Sequence, residues 1–310
     1  MSLSRRTLLI VAAGSALAGC QATARPAERV MAAVPAGAAP ATPEPAAPVI
    51  SAAPSAPTAP VTQVAQVAPA APAGPAFTRA VAVDRYGAVE PADWGLEVPG
   101  VITALPDGEQ ATALTFDACG GPGGSAYDAD LIELLRSHDV PATLFLNARW
   151  IDANPAEFES LAGDPLFEIA NHGTLHRPLS VTGRSAYGIA GTGDAADAYD
   201  EVAGNREKLA ALLGHPPRFF RSGTAHYDDV AARIAADVGQ RLAGFTVNAD
   251  GGATFTGSQV RQEVAATPPG GIVIAHMNHP AGGTAPGFGA ALPALLVAGR
   301  RFVRLSDVLG

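Results

Sequence analysis

His172-Gly173-Thr174-Leu175-His176 places two imidazoles four residues apart, just after a short apolar run. A lone carboxylate, Asp117, closes another apolar run, Ala111 to Phe116, far upstream. Two imidazoles and an acid brought to one point are the usual means of holding a divalent metal. Three further polar residues follow apolar segments in the same manner. Arg221 comes after Phe219-Phe220, Asp250 soon after Val247, and His276 directly after Ile272-Val273-Ile274-Ala275. Acids, bases and one permanent cation at the ends of apolar runs are the constituents of a hydrolytic site.

The segments that would position them alternate. Short apolar runs at 111–116, 143–146, 166–170, 219–220, 243–247, 272–275 and 302–305 read as buried strands. Helical patterns fall between them, at 128–138, 155–161, 198–213, 229–238, 259–265 and 290–298. Val81 to Gly87 reads as an added strand or lead-in. Repeated strand-then-helix units imply a parallel sheet covered by helices. About seven strands predict an α/β fold, a distorted or incomplete parallel (β/α) barrel, with a doubly wound open sheet as the alternative. At the mouth of such a barrel the strand C-termini meet, and there the active sites of these folds lie.

On these residues the chain resembles the polysaccharide deacetylase family, carbohydrate esterase family 4, over about residues 111–307. Thr115-Phe116-Asp117 looks like its first motif, and His172 and His176 have the spacing of its second. Arg221 stands in the place of its motif-three arginine, and Ile274-Ala275-His276 is similar to its final motif. The resemblance implies hydrolysis of N-acetyl groups on a polysaccharide, peptidoglycan or another amino sugar polymer. It implies a divalent metal, zinc first among them, on His172 and His176. It also implies Asp117 as base, His276 as acid to the leaving amine, and Arg221 orienting Asp117. Tyr227 and His279 are the expected substrate contacts.

Two departures bear on those roles. The family has a second Asp, a metal ligand, where this chain has Ala118, so the third ligand is open between Asp117 itself, Asp250 and water. Gly173 stands where the family has Ser or Thr. Two other readings follow from Ala118 and from the fold: a non-catalytic glycan-binding lipoprotein, and an amidohydrolase acting on a small non-carbohydrate amide. Cys119, beside Asp117, reads as a small packing residue, and the glycine run 120–124 as a flexible turn at the mouth. Asp250 within Asn248-Ala249-Asp250-Gly251-Gly252 fits a turn as well as a site.

The N-terminus is a separate matter. Arg5 and Arg6 precede an apolar stretch from Leu8 to Leu17, too short to span a bilayer, which is the pattern of an export signal. Leu17-Ala18-Gly19-Cys20 looks like a bacterial lipobox, so residues 1–20 are expected to be a lipoprotein-type signal peptide and Cys20 the lipidated residue. Residues 21–76 are dominated by Ala and Pro and read as a disordered tether, with the catalytic domain at 77–310. These features predict an extracytoplasmic lipoprotein of the bacterial cell envelope, attached to the membrane by its lipid. With Cys20 lipidated, Cys119 is left alone and no disulfide framework exists. The net charge of −9 argues against nucleic acid as a partner.

Overall fold

The computed structural model describes residues 76–310. The expected signal peptide, Cys20 and the expected tether as far as residue 75 therefore lie outside the described residues. Eleven strands occur in the order β1 (Trp94–Gly95), β2 (Val101–Ile102), β3 (Thr112–Ala118), β4 (Ala142–Leu146), β5 (Phe167–Asn171), β6 (Phe219–Phe220), β7 (Tyr227–Asp228), β8 (Arg241–Ala243), β9 (Val247–Asn248), β10 (Ile272–His276) and β11 (Phe302–Val303). Nine of them form one sheet, ordered β2-β8-β6-β5-β4-β3-β10-β9, with β11 pairing β3. Every ladder in that sheet is parallel. Helices cover its outer surface, so the fold is the expected incomplete (β/α) barrel. Expected and observed strand counts differ because β2 lies outside the expected runs and the run 243–247 divides into β8 and β9.

Strand alternation sorts the core into an outer and an inner layer. Leu114, Phe116 and Ala118 of β3, Ala142, Leu144 and Leu146 of β4, Phe167 and Ile169 of β5, and Val273 and Ala275 of β10 all join one cluster. Leu131, Leu135, Val260, Phe288 and Leu292 meet them there from the covering helices. The intervening positions, Ala113, Phe145, Ala170, Phe219 and Ile272, belong to a second cluster inside the curl of the sheet, with Leu305. Continuing each alternation by one or two residues puts Asp117, His172, Arg221 and His276 on the inner side. The parity of the strands, as much as their ends, brings these groups together.

Val81 to Gly87 does not extend the sheet. Arg79–Tyr86 is a helix, started by Thr78, whose hydroxyl accepts the Val81 N–H. Its buried residues, Ala82 and Tyr86, lie four apart and pack in a third cluster with Val202, Val230 and Ile234. One helical face thus outweighs the apparent alternation. Arg241–Ala243 and Val247–Asn248 are two strands where a single run was expected. Helices at Ala148–Ala153 and Leu305–Leu309 were not expected, both being under two turns long. Among the described residues no helix is long and apolar enough to cross a membrane.

Candidate active site

Asp117 and His276 are paired neighbours across β3 and β10. Asp117 is buried, and one of its oxygens, Oδ1, accepts a 2.7 Å bond from Arg221 Nη1. The guanidinium is fully buried and has no freedom left. Its Nε donates to the Ala243 carbonyl and Nη2 to the Gly244 carbonyl, and its Cζ lies 4.2 Å from the Phe145 ring centroid. A forked cation so held fixes the carboxylate and leaves its second oxygen, Oδ2, turned toward the imidazoles, 3.6 Å from His172 Nε2.

His172 Nδ1 lies 2.9 Å from the Arg221 carbonyl oxygen. A carbonyl only accepts, so Nδ1 carries the proton and Nε2 presents its lone pair inward. That arrangement, with the distal nitrogen tied to an acceptor, is the one that orients a metal-binding histidine. His176 stands with its ring centroid 4.9 Å from that of His172, edge to face. It has a left-handed backbone, φ 61°, and follows Gly173 at φ 78°. Glu201 holds this turn: its buried carboxylate accepts the Leu175 and Arg177 N–H groups. A Cβ on Gly173 would come within 2.3 Å of Glu201 Oε1, which explains why this chain has glycine where the family has Ser or Thr. Burial raises the Glu201 carboxyl above the usual range, against the pull of those two N–H groups. Asn147 steadies the same segment by donating to the His172 and Gly173 carbonyls.

His276 is positioned by Asp250. The imidazole Nδ1 donates to Asp250 Oδ1 at 3.0 Å, and the His276 backbone N–H and the Thr284 hydroxyl donate to Oδ2. Asp250 is fully buried, and its Oδ1 also accepts the Gly252 N–H at 3.1 Å, so it closes the turn after it as well as holding His276. Burial disfavours the imidazolium, but the bond to Asp250 and its charge outweigh this and hold His276 well above its ordinary 6.5. Asp250 is correspondingly held below its ordinary 3.8, burial again being overcome by His276. The two shifts set a window. The imidazolium contributes stability in full below about pH 6.5 and loses it as pH rises through its raised value. The carboxylate contributes in full above about pH 3.8 and loses it as pH falls. Between those limits the pair stabilises the fold most.

Three expectations need correction. Among the described residues, the acids, thiols and imidazoles able to share one cation are Cys119, His172 and His176, whose donor atoms all lie within 4.8 Å of one another. Asp117 is not in that group, although its Oδ2 lies 3.6 Å from His172 Nε2; with Oδ1 held by Arg221, that second oxygen is the one placed to act as a base. Cys119 is no packing residue. Ala118 fills that role, fully buried in the outer cluster, while Cys119 returns to the inner side of the alternation, 3.9 Å from His172 Nε2. Burial raises the thiol, yet His176, His172 and His276 together hold it well below the ordinary thiol range.

Tyr227 is the third correction. It is fully buried, and its hydroxyl accepts the Ser222 N–H at 3.0 Å. Burial pushes its phenol up to about 12. It braces the segment after Arg221 and meets no substrate. Tyr227→Phe leaves the Ser222 N–H without a partner and is expected to cost about 1–3 kcal/mol in chemical unfolding while KM stays unchanged. His279 is half-buried on the loop after β10, at the same end of the barrel as His276.

Residues 104–243 match the family model described as polysaccharide deacetylase. This segment is a member of that family. The described fold agrees with solved members. A family 4 carbohydrate esterase pseudoenzyme from Bacillus anthracis is 22% identical, with a TM-score of 0.57 over 69% of this chain and 70% of that one. A peptidoglycan N-acetylglucosamine deacetylase is 21% identical, with a TM-score of 0.56 over 66% of this chain and 91% of that one. A family 4 carbohydrate esterase from Bacillus subtilis is 18% identical, with a TM-score of 0.55 over 68% and 85%. No curated relative matches the chain. A polysaccharide deacetylase fold hosts both active and inactive proteins, so catalysis has to be argued from the site itself.

Proposed function

We propose that this chain is a metal-dependent deacetylase of an extracytoplasmic amino sugar polymer, peptidoglycan or a related glycan. The observation that carries the reading is the convergence of two preset units on one inner face. One is the Asp117–Arg221 pair beside His172, and the other is the His276–Asp250 pair. The paired strand positions of Asp117 and His276 set a base and an acid side by side.

The donor set fits a divalent ion, zinc first, because His172 is locked in the tautomer that offers Nε2 and His176 stands beside it. When bound, such an ion supplies Lewis-acid polarisation of the amide carbonyl and a more acidic water. Asp117 takes the proton from the attacking water through Oδ2, since Arg221 occupies Oδ1. Arg221 orients that carboxylate through its bond to Oδ1. His276 gives its proton to the departing amine, and Asp250 steadies the imidazolium and aims the ring. Burial of Asp117 and Arg221 keeps these interactions out of bulk water, where they would be far weaker.

The export signal, the Cys20 lipid and the Ala/Pro-rich tether support work at the cell envelope. At about 3.1 Å per residue, a tether of that composition reaches on the order of 170 Å when fully extended, enough to let a membrane-anchored catalyst work on a surrounding glycan. The glycan-binding alternative drew on Ala118 as a lost ligand. That side chain faces the outer core, so it takes nothing from the inner face. The His172→Ala protein is expected to lose stoichiometric metal and acetate release together. Retention of both would refute the reading, and a panel of sugar and non-sugar acetamides separates it from a small-amide hydrolase.

A further inference from the structure

We infer that Cys119 is the third metal ligand of this chain, making a His-His-thiolate centre that selects zinc-like, borderline-soft cations over magnesium or manganese. The inference deepens the proposed function by naming the ligand set and the metal class. It begins with strand geometry. Residue 118 belongs to β3 and alternates outward into the core with Leu114 and Phe116. The inner-face position that follows Asp117 is therefore residue 119, not 118.

The loop that follows fixes the thiol in place. Gly120 has φ 67° and lies so close to the helix Ala148–Ala153 that a Cβ would come within 2.5 Å of the Trp150 nitrogen. A Cβ on Gly121 would meet the Arg149 guanidinium at 2.6 Å. The turn closes on itself, with Gly120 N–H donating to the Gly124 carbonyl at 2.9 Å and Gly124 N–H to that of Gly121 at 3.0 Å. The glycine run is thus a tightly packed cradle rather than a flexible turn, and it allows the chain to turn sharply directly after Cys119.

The spacing suits a small cation. A tetrahedral site with Zn–S near 2.3 Å and Zn–N near 2.0–2.1 Å needs donors about 3.5 Å apart. Cys119 Sγ and His172 Nε2 are 3.9 Å apart, and all three donors lie within 4.8 Å, so a closure of about 1 Å completes the shell. On binding, the S–H bond breaks, its proton passes to solvent, and the sulfur pair forms the bond to the cation. Thiolate among the ligands favours zinc and cobalt(II), and disfavours the oxygen-seeking magnesium and manganese. The fourth position stays open, as a catalytic site requires. The inner face also carries the His276–Asp250 pair, so a thiolate nucleophile is the competing use of the same sulfur.

Full-length protein stripped by a chelator and refilled with cobalt(II) tests the inference. Wild type should show the near-ultraviolet sulfur-to-cobalt charge-transfer band. It should bind zinc roughly 100-fold or more tightly than Cys119→Ser, since even an outer-shell partner is worth 10–100-fold. Cys119→Asp should bind without that band and shift preference toward manganese. Zinc should protect Cys119 from iodoacetamide, read by peptide mapping. A cobalt complex of wild type without the band would overturn the inference, as would unchanged zinc affinity in Cys119→Ser. An acetylated Cys119 in metal-free, active protein would also overturn it, in favour of the nucleophile. Acetate release without the band leaves the proposed function standing and removes this ligand. The band without acetate release does the reverse.

Discussion

Asp117→Asn is expected to lower the rate of acetate release by about 10²–10⁴-fold, the range a positioned general base contributes. The amide keeps the shape of the carboxylate and loses its proton affinity and charge. A second effect follows from burial. Arg221 has no exposure, and among the described residues Asp117 is its only anionic partner. Removing one member of a buried pair leaves the other charge uncompensated, at a cost on the order of 3–5 kcal/mol. The variant should thus be both slow and markedly less stable, in steady-state kinetics and denaturant unfolding respectively. Metal content should be retained, because Asp117 lies outside the donor group. Loss of metal with full stability would place Asp117 among the ligands after all.

Asp250→Asn acts through another residue and should be recognised by its pH signature. Asp250 holds the His276 imidazolium and raises its pKa well above the ordinary value. The acid must be protonated to serve the leaving amine, so kcat falls as pH rises through that raised value. With asparagine in place, His276 returns toward its ordinary range and the basic limb of the kcat profile moves to lower pH. The loss should be a few-fold near pH 7 and grow by about tenfold per pH unit above it, toward the roughly 10²-fold that general acid catalysis contributes at the least. KM should change little. A uniform fall in rate across all pH, with the limb unmoved, would mean that Asp250 only shapes the loop.

Much of the architecture was legible in the sequence, because long apolar runs and long helical faces are strong periodic signals. β3, β4, β5 and β10 and the helix Ala195–Leu213 stand where the pattern placed them, within a few residues. The two-residue strands β1, β2 and β7 and the short helices carry no period and were missed, whereas β6 and β11 were marked by their paired apolar residues. The site was legible in part for a similar reason. Asp117, Arg221, His172, His176 and His276 all follow apolar runs, and the strand ends gather them at one mouth.

What remained hidden depended on direction rather than position. Reading Ala118 as a missing ligand and Cys119 as packing compared motif letters without following the side-chain alternation of β3, which exchanges the two roles. That signal was present in the sequence: Leu114, Phe116 and Ala118 are one face, and Asp117 and Cys119 the other. Asp250 was balanced between turn and site because no local pattern shows that its carboxylate reaches His276, 26 residues away. Glu201 had no signal at all. It sits within a long helix among other acids, and only the folded chain lays it over the turn that carries His176. Tyr227 looked like a substrate contact because it is aromatic and close to Arg221, whereas packing against Phe220 turns it inward.

The most direct test is acetate release from an N-acetylated amino sugar polymer by purified protein that has been stripped of metal and then refilled with zinc. Loss on stripping, recovery on refilling, and no recovery in His172→Ala are the results expected of the convergent site. Equal release before and after stripping, or from His172→Ala, would contradict it.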